Sequence, residues 1–358
     1  MRFPPFEHLH LYEDVHDRAT NISLSNVKAF TFGEFGRSLP PDLDLNWADP
    51  AGPAELRALI ATRHRVPADH VLVTTGATEA NFLVQAALVR AGDRVVVDSP
   101  TYTPLREAAR GFGGRVVLAA RSCRDGWRLD LDRLEAAMAP TTRLCVFANL
   151  NNPTSARIDG SEMRRIADLA ASRRAYVLVD ETFRETAFDG RPPSAATFGP
   201  HMVSLGTVTK LCGLGALRVG WIVGTPRLLE RFKAIKDYTT IEGASPGQVI
   251  ATWALERHAF FVRRARRILD ANRRAVHEMV PGMPALRGDV PEGGTVFFPH
   301  CAVPVAKVAS RLFRRHRTVI APGRFFGPRD HFRIGLGGDP RELRRGLANL
   351  RRVLRDLT

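Results

Sequence analysis

The chain has 358 residues, 44% of them hydrophobic and 25% charged, which is ordinary for a globular protein and long enough for two domains with sizeable cores. Its net charge of +15 raises a nucleic-acid partner, but no nucleic-acid-binding motif occurs and no aromatics interleave the basic runs, so the excess reads as arginines on solvated helix faces. No apolar run reaches a membrane span, the N-terminus lacks the apolar core of a signal peptide, and the four Cys form no C-x-x-C pair; the expectation is a cytoplasmic chain with reduced thiols and no zinc site, membrane or nucleic-acid partner.

In chain order, residues 1–45 read as an irregular arm. A Pro-Gly turn at 50–53 then opens a helix with Leu56, Leu59 and Ile60 at helical spacing. Val71–Val73 reads as a strand that runs into Gly76-Ala77-Thr78 and a helix. Such a junction is either an ordinary capped helix or an anion site, because free N–H groups and the positive end of the helix dipole face a ligand there. Strands follow at 93–98, 115–118, 144–148, 176–179 and 202–205, with helices at about 104–112, 130–138 and 161–173 between them. Strand–helix alternation predicts an α/β fold, a mostly parallel sheet sandwiched by helices. The strands are apolar and β-branched throughout, as burial on both faces requires.

The polar clusters all fall just after strand C-termini: Gly76, Tyr102, Asn152, Asp180 and Lys210. Ligand sites of open parallel sheets form at those ends, so the five are expected to converge in one cleft. From about 245 the texture changes to a long Arg-rich helix (246–280), a Gly-rich segment and a helix at 304–315. A short strand containing Arg333 follows, and then a helix opened by Asp339-Pro340. Together these predict a smaller α+β C-terminal domain.

The most informative stretch is Thr207-Val208-Thr209-Lys210-Leu211-Cys212-Gly213-Leu214-Gly215-Ala216-Leu217-Arg218. The chain holds five Lys against forty-seven Arg, so a Lys here is conspicuous. A desolvated Lys can lose its proton and act as an amine nucleophile, which Arg cannot do. Hydroxyls and an Arg around it suit a phosphate, and the glycines allow close backbone approach. Cys212 reads as a small buried hydrophobe.

Taken together, these motifs resemble the fold-type I pyridoxal-phosphate (PLP) enzymes of the class I/II aminotransferase family, from about residue 45 to the C-terminus. The resemblance implies an arm (1–45) packed on the small domain, a large PLP domain (46–240) and a small domain (241–358). It makes Lys210 the Schiff-base lysine and Asp180 the partner of the pyridine nitrogen. It places Gly76, Ala77, Thr78, Thr207, Thr209 and Arg218 around the phosphate, Tyr102 on the ring and Asn152 on the ring oxygen, and it gives the substrate carboxylate to Arg333. The implied activity is transamination between an amino acid and a 2-oxo acid, by a homodimer.

Two positions depart from the family pattern. Phe183 stands where a Tyr commonly bonds the ring oxygen, which is expected to raise the proton affinity of the lysine–cofactor linkage. Trp47 stands where a Tyr often reaches the neighbouring subunit's phosphate; an indole can pack there or donate one N–H but cannot replace a phenol, so substrate pocket or core is expected as readily as phosphate ligand. The run Ile22–Phe35 is also similar to the arm of capreomycidine synthase-type enzymes, which cyclise a hydroxylated arginine. That likeness implies a PLP-dependent cyclase, lyase or oxidase as the alternative activity. PLP-binding regulators resemble the fold too but carry an N-terminal helix-turn-helix domain; with about forty-five residues ahead of the first core helix, an enzyme is expected rather than a regulator.

Overall fold

The structure, a computed structural model, describes residues 3–10 and 19–358; residues 1–2 and 11–18 of the expected arm lie outside them. A seven-stranded sheet runs in the order Val71–Thr74, Gly220–Val223, Met202–Thr207, Tyr176–Asp180, Thr142–Ala148, Arg94–Ser99, Arg115–Ala120. Six of these strands were legible as apolar runs. The seventh, Gly220–Val223, was not anticipated and pairs antiparallel with both of its neighbours, so the sheet is mostly and not wholly parallel.

The pleat explains why the strands show no polar alternation. On Tyr176–Asp180, Leu178 points into a core shared with the helices Gly76–Leu88, Thr103–Gly111 and Pro226–Lys236. Val177 and Val179 point into a second core, under the helices Leu131–Ala137 and Gly160–Ser172. Both faces are dry at the centre of the sheet, so both must be apolar there, while the edge strand Arg115–Ala120 stays largely exposed.

The single helix expected over 246–280 is instead two, Ser245–Glu256 and His258–Met279, broken at Arg257 (φ −93°, ψ 22°). The first buries Ile250, Ala251, Ala254 and Leu255 and packs on the helix Ala54–His64. The second buries Phe261, Ala265, Ile268 and Leu269 and packs on the C-terminal helix. One straight helix cannot turn its apolar stripe toward both partners. The C-terminal helix, Pro340–Arg355, starts where the sequence placed it, with the Asp339 carboxylate accepting from Arg341 N.

The smaller C-terminal domain holds a three-stranded antiparallel sheet of Val296–Phe297, Phe332–Gly335 and Ala321–Pro322. The N-terminal arm is stitched into it. Thr20–Asn21 pairs parallel with Thr318–Val319, and Gly335 N donates to Ile22 O at 2.7 Å. Thr295 Oγ1 donates to Ser25 O at 2.6 Å. On its other side the arm meets the lysine loop, with Val27 N donating to Lys210 O at 3.0 Å.

Candidate active site

The strand ends deliver their side chains to one cavity of about 750 Å³, lined by Ala77, Thr78, Tyr102, Asn152, Asp180, Thr207, Thr209, Lys210 and Arg218 from the expected set. Gly76 lies directly beneath Arg218, with φ +78°. Arg333 is 2% exposed and lies behind Asn152, donating from Nη1 to Asn152 Oδ1 at 3.0 Å and from Nη2 to Ser23 O at 2.8 Å. Trp47 is not brought in: it is 60% exposed and does not line the cavity of its own chain, which removes it from the core.

Each position follows from local structure. Thr207 ends its strand and its Oγ1 donates to Val219 O at 2.7 Å, fastening the loop to the next strand. Thr207 Oγ1 and Thr209 Oγ1 lie 2.9 Å apart, and Gly213 turns the chain back at φ +73°. Of the two adjacent asparagines, Asn151 is structural: its Nδ2 donates to Asp98 Oδ2 at 3.0 Å, beside the buried Asp98–Arg121 pair. Asn152 is left to face the cavity.

The electrostatics suit an amine nucleophile. Burial, reinforced by Arg333 and Arg218 and opposed by Asp180, brings the Lys210 amine down to about 8. Burial pushes the Asp180 carboxyl upward, against the hydrogen bond from Thr182 N and the nearby Lys210. A desolvated carboxylate of this kind favours a cationic or N–H partner. Behind it, Trp221 Nε1 donates to His64 Nε2 at 3.0 Å, His64 Nδ1 meets Ser194 Oγ at 2.8 Å, and Ser194 Oγ donates to Glu181 Oε2 at 3.1 Å. Burial holds this His64 down to about 3, hence neutral.

Four arm residues at or beside the cavity were not anticipated, of which Phe6 and Asn26 line it. Lys210 Nζ donates to Ser25 Oγ at 3.0 Å and to Asn26 Oδ1 at 2.9 Å, and lies 5.3 Å from the centre of the Phe183 ring. Phe6 meets Tyr102 edge-on with centroids 5.6 Å apart. His8 stacks on Phe325 and reaches Arg333 Nη2 at 3.4 Å; burial, Arg333 and Lys210 take it down to about 2. The arm has no periodicity to flag these residues. The signals for Ser25 and Asn26 were the run Ser23-Leu24-Ser25-Asn26 and the likeness of Ile22–Phe35 to a cyclase-type arm.

Residues 44–350 match the family model described as aminotransferase class I and II. The chain belongs to that family. It is 34% identical over 353 residues to capreomycidine synthase from Streptomyces vinaceus, covering 94% of this chain and 90% of the relative. It is 29% identical to the arginine–pyruvate transaminase AruH of Pseudomonas aeruginosa, covering 82% and 79%. Among solved structures, the PLP-dependent cyclase OrfR superposes with a TM-score of 0.90 at 28% identity, over 100% of this chain and 99% of that one.

The cofactor of this family is PLP, and the cavity fits it. A Cβ on Gly76 would overlap the Arg218 guanidinium, so the glycine keeps an open cationic cradle at a helix N-terminus, where backbone N–H groups favour an anion. The lowered amine of Lys210 and the buried carboxylate of Asp180 share that cavity. Among the described residues no cluster of His, Cys, Asp and Glu could hold a metal ion, and no helix is long and apolar enough to cross a membrane.

Proposed function

We propose that this enzyme takes the α-proton from an arginine-type amino acid and closes a ring on the substrate's own side chain, without net amino transfer. The observation that carries this reading is the contact of Ser25 and Asn26 with the Lys210 amine. The family model begins only at residue 44, whereas the match to capreomycidine synthase spans 94% of the chain and therefore takes in these arm residues. The likeness to capreomycidine synthase thus extends over the arm residues that touch the Lys210 amine.

Bound PLP supplies an electron sink that stabilises negative charge at the substrate Cα. In this reading Gly76, Ala77, Thr78, Thr207, Thr209 and Arg218 hold its phosphate, Asp180 its pyridine nitrogen, Asn152 its ring oxygen and Tyr102 its ring face. The Arg333 guanidinium takes the substrate carboxylate in a forked pair. Lys210, with a proton affinity near neutral pH, accepts the α-proton as general base. The hydroxyl on Cβ then departs with a proton as water, a side-chain nitrogen adds to Cβ and gives up its proton, and Lys210 returns a proton to Cα. Phe6 and Leu9 line the cavity on the arm side and exclude water.

Transamination, the family's general activity, is the second reading, favoured by the likeness to an arginine–pyruvate transaminase. Incubating holoenzyme with arginine and hydroxylated arginines, with and without pyruvate, separates the two. A cyclic product lighter by one water, formed without pyruvate and with the α-nitrogen kept, supports the cyclase. Formation of alanine in step with a 2-oxo acid overturns it.

The exposed Leu45, Trp47, Tyr238 and Ile241 support a second copy of the chain as partner, which would carry Trp47 to the neighbouring cavity. Sedimentation of the purified protein checks this.

A further inference from the structure

We propose that Ser25 and Asn26 are positioning residues that receive the Lys210 amine whenever it is not bonded to the cofactor, and that they bind the ammonium formed once it has taken the α-proton, with one N–H left to face the cavity. The consequence for reaction outcome rests on the cyclase reading above; the positioning itself does not.

The geometry is that of a built receptor. An ammonium has three donors and no acceptor. Ser25 Oγ and Asn26 Oδ1 take two of them, at 3.0 and 2.9 Å. Both acceptors are fixed by their own backbones. Thr295 Oγ1 donates to the Ser25 carbonyl, and Val27 N, one residue beyond Asn26, donates to the carbonyl of Lys210 itself. The receptor and the lysine it serves are therefore tied together at the main chain and move as one unit. The Phe183 ring, 5.3 Å from Nζ, offers its face to the charge and no competing donor.

The charged groups around the amine are Asp180 on one side and Arg333 and Arg218 on the other, with His8 neutral beyond Arg333. Burial first, and then the two cations, oppose charging of the amine and Asp180 favours it, so neutral acceptors on the arm shift that balance toward the ammonium.

Amino transfer requires one base to take a proton from one carbon and return it to another. An amine with two of its three donors engaged is restrained from that swing, and proton traffic stays on the side where it began. Removing the acceptors frees the amine, so the share of turnovers ending in amino transfer rises.

The test uses enzyme loaded with pyridoxine phosphate, an aldehyde-free analogue that leaves the Lys210 amine unbonded. Acetylation of Lys210 by acetic anhydride is followed by mass spectrometry across pH. Asn26→Ala is expected to lower the midpoint of the labelling curve by about one pH unit, since hydrogen bonds to the charged form are lost. Asn26→Asp keeps an acceptor and adds charge, and is expected to raise it. A purely structural role for Asn26 would not move the midpoint in opposite directions. Coincident curves for both variants and wild type overturn the proposal, whatever reaction the enzyme performs.

With PLP bound, Asn26→Ala is expected to increase the ratio of amino transfer to cyclic product severalfold. An unchanged ratio, alongside shifted labelling curves, overturns the link to reaction outcome. If wild type forms no cyclic product at all, the cyclase reading fails and the labelling result still decides the positioning.

Discussion

Gly76→Ala tests the phosphate cradle. The substitution has two effects of different kinds. Gly76 sits at φ +78°, where a residue with a Cβ is strained by about 1–2 kcal/mol. The new methyl would also lie 2.9 Å from Arg218 Cζ and overlap the guanidinium, so Arg218 must leave its place. Losing a charge-assisted hydrogen bond to phosphate costs about 1.5–3 kcal/mol, roughly a tenfold to hundredfold rise in the dissociation constant for PLP. Gly92 provides the control: its φ is +87°, and a Cβ there would meet nothing within 4 Å. Gly92→Ala should therefore lose about 1–2 kcal/mol of cofactor-free stability and keep its affinity. Gly76→Ala should lose a similar stability and bind PLP at least tenfold more weakly. Urea unfolding of the cofactor-free proteins and absorbance titration with PLP give the two quantities. Equal PLP affinity in the two variants would refute the placement of phosphate at Arg218.

Three further outcomes follow from named contacts. Arg333→Lys keeps the charge but cannot donate to both Asn152 Oδ1 and Ser23 O while gripping a carboxylate, so kcat/KM should fall by about tenfold to a hundredfold, mainly through KM; unchanged kinetics would take the carboxylate away from Arg333. His64 is held down to about 3, below its unfolded value, so between pH 6.5 and about 3 the unfolded chain binds the extra proton and stability falls as pH falls; His64→Gln should flatten that slope in acid-dependent unfolding, and an unaltered slope would show that His64 contributes nothing to it. Phe183→Tyr restores a donor near the ring oxygen and should lower the pH midpoint of the cofactor's visible absorption band; coincident titration curves would count against the reason given for the Phe.

Much of this architecture could be read from the chain, for a physical reason. A parallel sheet covered on both faces writes itself as short β-branched runs, and the loops that meet at the cavity follow those runs, so the convergence of Gly76, Tyr102, Asn152, Asp180 and Lys210 was legible in the sequence. What was not legible depends on partners distant in sequence. Gly220–Val223 is a four-residue strand whose direction is set by its neighbours. The break at Arg257 is set by two different packing partners, since the local sequence continues helically on both sides. The arm was the least legible. Ser25 and Asn26 have no periodicity, and their purpose appears only when Lys210 is brought to them from 185 and 184 residues away.

The stitching of the arm also orders events in time. Ser25 is anchored by Thr295, 270 residues further along the chain, and Lys28 by Gly337 and Asp339. Closing so long a loop is slow compared with forming the strand–helix units between its ends. On the ribosome, the sheet and the lysine loop can form while the anchoring residues are still inside the exit tunnel. During that interval the cleft has its lysine but no floor on the arm side. Until Ser25 and Asn26 arrive, Lys210 lacks the two acceptors that its amine meets in the finished fold.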